Sequence, residues 1–86
     1  MKYETISETK SGSYNENDTV TFTFTYSNNI DHIESLSSFQ PDAKIMRLTS
    51  CSFVANVLTV IFTCYRTTLS GPYAGIINLT VTVASY

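Results

Sequence analysis

Charge is scarce in this sequence. Among 86 residues there are 5 Lys and Arg against 7 Asp and Glu, a formal net charge of −2 with 14% charged residues. Lys2, Lys10, Lys44, Arg47 and Arg66 are scattered along the chain, so no basic stripe exists to displace counterions from phosphates, and nucleic acid is not an expected partner. No apolar run approaches a membrane span, which removes the membrane as a partner. Tryptophan is absent and the three glycines form no phosphate cradle. The start, MKYETISETK, is polar and carries no apolar leader segment, so secretion is not expected.

Catalytic groups are equally sparse. His32 is the only histidine, and although Asp31 and Glu34 lie beside it, one imidazole without a ligand cluster reads as a surface residue. No nucleophile elbow accompanies the many serines and threonines. Glu16, Asn17 and Asp18 carry oxygen ligands, but their spacing is that of a turn, not of a calcium loop. Asn17-Asp18-Thr19 and Asn78-Leu79-Thr80 match the glycosylation sequon, which has no consequence without secretion. No catalytic, metal or cofactor residue is assigned, and enzyme activity is not expected.

What is present is the material of a small folded domain. A hydrophobic content of 43% is too high for a disordered chain, and the length allows one domain over residues 1–86. TVTFTFTYS alternates Val20, Phe22, Phe24 and Tyr26 with threonines, as a strand does with one face on a core and one in water. IINLTVTVAS sets Ile77, Leu79, Val81 and Val83 against Asn78, Thr80 and Thr82 in the same way. A weaker strand covers Lys2 to Glu8. SGSYNEND and LSGPYAG read as turns. Residues 29–40 read as helix or strand: Asp31 and Glu34 have capping-box spacing, and Pro41 ends either form. The sum is an all-β chain, a small β-sandwich of six or seven strands with room for one short helical turn.

VLTVIFTCY is apolar on both faces. A hairpin around Ala55-Asn56 pairs Val54 with Val57 and Phe53 with Leu58. One face then collects Ile45, Cys51, Phe53, Leu58, Val60, Phe62 and Cys64, the other Met46, Leu48, Val54, Val57, Ile61 and Tyr65. A two-layer sandwich covers only one face of each sheet. Two readings follow. A β-bulge near Thr49-Ser50 would swing Met46 and Leu48 inward, with the SSFQPDAK loop over Ile61. Otherwise another chain covers the second set, which is the candidate interface. In this register Cys51 faces Val60 and lies roughly 13 Å from Cys64 at about 3.3 Å per residue, too far for a disulfide, so both are expected as reduced, buried thiols.

SGSYNENDTVTFTFTYSN resembles the opening of bacterial and phage immunoglobulin-like modules, and the hairpin and GIINLTVTV fit their later strands. The chain lacks their core Trp and disulfide spacing. The resemblance implies a non-enzymatic module similar to small phage virion accessory proteins, such as capsid decoration or tail components, located in a virion or the cytoplasm. Expected partners are protein chains of an assembly, as homo-oligomer or capsid and tail subunits, docked by the hairpin's second face or a free strand edge. The alternative is a carbohydrate- or host-surface-binding module using Tyr14, Asn15 and Tyr73 in the turns.

Overall fold

The computed structural model describes residues 1–41, 46–65 and 73–86, with the side chains of Tyr73 and Ala74 excepted. Six strands run in order: β1 (Lys2–Tyr14), β2 (Thr19–Thr25), β3 (Ile30–Phe39), β4 (Met46–Val54), β5 (Val57–Cys64) and β6 (Tyr73–Ser85). They form two antiparallel sheets of order β1-β6-β3 and β2-β5-β4, packed as a small β-sandwich. Only β4 and β5 are consecutive and paired. Every other connection carries the chain from one layer to the other, so the layers are laced together by the backbone itself.

Period-two alternation builds the core. Phe22, Leu58, Val60 and Phe62 from one sheet meet Ile77, Leu79, Val81 and Val83 from the other, all at 1% exposure or less. Burying each such side chain contributes about 1.5–3 kcal/mol. Phe22 packs edge-on against Phe24 and Phe62, with ring centroids 6.2 and 5.7 Å apart. The central strand β6 is flanked on both sides, and its inward residues are buried without gap from Ile77 to Val83.

Turns follow local chemistry. Asp18 N–H donates to the Asn15 carbonyl at 3.0 Å, and its carboxylate accepts from Asn15 N–H at 2.7 Å. Asn17 takes a φ of 74° there, a conformation asparagine tolerates better than most residues. At the β4–β5 turn Ala55 has a φ of 55°, which costs a residue with a Cβ. This hairpin tip is fastened to the β2–β3 connection: Tyr26 N–H donates to the Asn56 carbonyl at 2.8 Å and Ile30 N–H to the Ala55 carbonyl at 2.9 Å. Asn56 Nδ2 donates back to the Tyr26 carbonyl at 2.8 Å.

Several sequence expectations change. β1 extends beyond Glu8 to Tyr14, because pairing with the equally long β6 overrides the turn composition of Ser11-Gly12-Ser13. Residues 30–39 are strand, and no helix occurs among the described residues. Asp31 and Glu34 are not a capping box; both bind the imidazole of His32. Cys51 opposes Val60 as expected and Cys64 opposes Met46, four residues further along β5. No disulfide joins them. Cys64 is buried, but Cys51 is exposed because β4 lies at a sheet edge, although partial burial still pushes its thiol above the ordinary value. Most of LSGPYAG lies outside the described residues.

Candidate interaction surface

The outer face of the β2-β5-β4 sheet is the reverse side of the hairpin. Its rows follow from the register: Thr21, Ile61 and Ser50 lie side by side, as do Thr23, Thr59 and Ser52, and Thr25, Val57 and Val54. Ile61 is half-buried between two hydroxylated neighbours, Val57 is half-buried between Thr25 and Val54, and Val54 at the hairpin tip is 79% exposed. Thr49 Oγ1 hydrogen-bonds Thr63 Oγ1 at 3.0 Å and donates to the Ile61 carbonyl at 3.2 Å. Arg47, the only charge that the described residues place on this face, lies at one end with its guanidinium 3.6 Å from the centroid of the Tyr65 ring.

The six expected interface residues divide. Val54, Val57, Ile61 and Tyr65 share the outer side. Met46 and Leu48 do not, because the register shifts between Leu48 and Ser50 and the extra residue, Thr49, reverses the facing of everything before it. Met46 opposes Cys64 and is buried at 5% exposure within the core; Leu48 opposes Phe62 and points the same way, half-open at the β4 edge. The bulge reading therefore holds for these two. Ile45 and the Asp42-Ala43-Lys44 end of the SSFQPDAK loop lie outside the described residues. Of the rest of that loop, Gln40 binds the backbone of Met46 and Phe39 is 60% exposed on the other sheet, opposite Asn78.

The opposite surface, the outer face of β1-β6-β3, is hydroxylated throughout its middle. Thr5 hydrogen-bonds Thr82 at 2.6 Å, Ser7 bonds Thr80 at 2.8 Å, and Thr9 donates to Asn78 at 2.6 Å. Sequence alternation set Asn78, Thr80 and Thr82 against the apolar row of their strand but could not pair them with Thr5, Ser7 and Thr9, since strand order was not legible. At one end of this sheet His32 bridges Asp31 through Nδ1 at 2.8 Å and Glu34 through Nε2 at 3.0 Å. The Asp31 and Glu34 carboxylates hold the imidazole above its usual pKa, and His32 with Tyr86 holds Asp31 below the usual carboxylate range.

Tyr14, one of the alternative's loop residues, is half-buried against the core, and the Tyr73 side chain lies outside the description. No pocket and no cluster of three metal-binding side chains occurs among the described residues. No described helix is long and apolar enough to cross a membrane. Comparison with protein-family models, with curated proteins and with solved structures finds no match.

Proposed function

We propose that this chain is a non-enzymatic structural subunit that binds other protein chains of an assembly through the outer face of the β2-β5-β4 sheet. The observation that supports the reading is the placement of Ile61, Val57 and Val54 in a field of threonine and serine whose single charge, Arg47, is drawn onto Tyr65 at the margin. Covering such a face desolvates no carboxylate of its own strands, its hydroxyls can pair with a partner's polar groups, and its apolar part contributes on the order of 25 cal/mol per Å² removed from water. The loss of Met46 and Leu48 from this face narrows it to a stripe along β5 and the hairpin tip. The immunoglobulin-like resemblance implies a phage particle as the setting, with the chain as a capsid decoration or tail component.

Light scattering on purified protein tests the reading. The unaltered chain grows into larger particles as concentration rises, and Ile61→Lys removes that growth by placing an ammonium in the centre of the face, while the far-UV spectrum and melting temperature stay close to those of the parent. Growth that is indifferent to Ile61→Lys contradicts it. A glycan-binding module is the second reading; it predicts a soluble monomer that a glycan array captures through its turns.

A further inference from the structure

Four strands end the two sheets: β1 and β3 in one, β2 and β4 in the other. Unpaired edges invite association, and folded proteins blunt them with charges, bulges or covering groups. β1 directs Lys2, Glu4, Glu8 and Lys10 toward the opposite layer, since their partners Ser85, Val83, Leu79 and Ile77 are all buried. β3 is broken by register shifts at Ile30/His32 and Ile33/Ser35 and carries Asp31 and Glu34. β4 is bulged, and Gln40 occupies its end, donating to the Met46 carbonyl at 2.8 Å and accepting from Met46 N–H at 3.0 Å. β2 has none of these devices. Thr19–Thr25 contains no charge, proline or glycine, and its register with β5 is unbroken.

The direction of the β2 backbone follows from its two ends. Tyr26 N–H donates to the Asn56 carbonyl and the Asp18 carbonyl accepts from Cys64 N–H, so the even-numbered residues face β5. Along a strand these groups alternate in direction. The N–H and C=O of Thr19, Thr21, Thr23 and Thr25 therefore point out of the sheet edge, where no hydrogen bond from a described residue meets them. Lys10 of β1 reaches this region, but its Nζ lies over the Phe22 ring at 5.6 Å, on the core side of β2 and out of the plane of those amides.

We infer that β2 is the contact between two copies of this chain, paired antiparallel about Phe22. Thr-Val-Thr-Phe-Thr-Phe-Thr reads nearly the same in both directions, and this self-match selects a second copy over an unrelated strand. Turning one copy about Phe22 sets Thr19 opposite Thr25, Thr21 opposite Thr23 and Val20 opposite Phe24. Each outward N–H and C=O gains a partner, threonines meet threonines on the outer face, and apolar side chains meet apolar side chains on the core side. The two three-stranded sheets become one continuous sheet, and two docking faces stand side by side. The inference rests on the reading of the chain as an interaction subunit and names its first partner.

Sedimentation velocity on three proteins tests it. In the Ile61→Lys background, where the face contact is removed, the chain sediments as a dimer of the 9.6 kDa unit. Adding Thr23→Pro gives the monomer, because proline deletes an outward N–H that the monomer does not use and an edge strand tolerates. In the same background Thr21→Lys with Thr23→Glu keeps the dimer, since the introduced ammonium of each copy then opposes the introduced carboxylate of the other. A monomer with Ile61→Lys alone overturns β2 pairing and leaves the face reading standing. Growth beyond the dimer that Ile61→Lys leaves in place, with the dimer itself lost to Thr23→Pro, does the reverse. A dimer that survives Thr23→Pro also overturns the inference.

Discussion

The Tyr26 hydroxyl donates to the Val81 carbonyl at 2.9 Å, joining the end of β2 to the central strand of the opposite sheet. Tyr26 is 2% exposed, so this bond is made inside the core, where the phenol has no water to fall back on. The same residue binds Asn56 through its N–H and carbonyl. One residue thus ties together three elements: β2, the hairpin tip and β6.

Tyr26→Phe is expected to cost about 1–2 kcal/mol, the price of leaving the Val81 carbonyl short of a donor, read as a lower urea midpoint with unchanged slope. Burial, with the Glu4 and Cys51 charges adding to it, pushes the Tyr26 phenol up to about 12 from 10.0. The folded state therefore favours the neutral phenol. Stability from this group is complete below pH 10 and is lost as pH rises toward 12. Alkaline unfolding of Tyr26→Phe lacks that component.

Ala55→Gly relieves a φ of 55° in the two-residue turn between Val54 and Val57. A gain of about 0.5–1 kcal/mol is expected, seen as a higher melting temperature. An unchanged or lower melting temperature would show that the turn carries no strain at Ala55.

Removing the inward charges of β1 exposes a long edge. Glu8→Val combined with Lys10→Val leaves the β1–β6 register in place but deletes two of the groups that keep β1 from pairing with other chains. Faster aggregation on storage, followed by turbidity, is the expected outcome. Solubility equal to the parent's would show that these charges do not guard the edge.

The bridge at Asp31, His32 and Glu34 is pH-dependent. With the imidazole pKa raised, its contribution is complete below the ordinary histidine value of about 6.5 and is lost as pH rises through the higher folded value. With the Asp31 pKa lowered, its contribution is present above the ordinary carboxylate range and lost as pH falls through the depressed value. Titration of the His32 ring proton by NMR reads this directly, and Asp31→Asn is expected to bring the midpoint down.

Much of the sandwich was legible because its strands carry period-two patterns that local and tertiary forces both favour. Phe22 and Phe24 alternate with threonines, and the turn at Ala55-Asn56 gave the pairs Val54–Val57, Phe53–Leu58 and Cys51–Val60 that the structure contains. What was not legible depends on partners distant in sequence. Ser11 to Tyr14 look like turn residues and become strand only because β6 lies beside them. The bulge at Thr49 was one of two open readings of the sequence, and it alone decides that Met46 belongs to the core instead of sharing the outer face with Ile61. The edge at β2 became visible only when strand order showed which strands end each sheet.

The methyl resonances of Val54, Val57 and Ile61, followed by NMR as protein concentration rises, report most directly on whether the outer face of the β2-β5-β4 sheet binds other chains. Docking through this face predicts concentration-dependent shifts and broadening of these methyls, while those of the core residues Leu58, Val60 and Val81 stay in place. Outer methyls that remain sharp and unmoved while the protein associates would show that this face binds nothing.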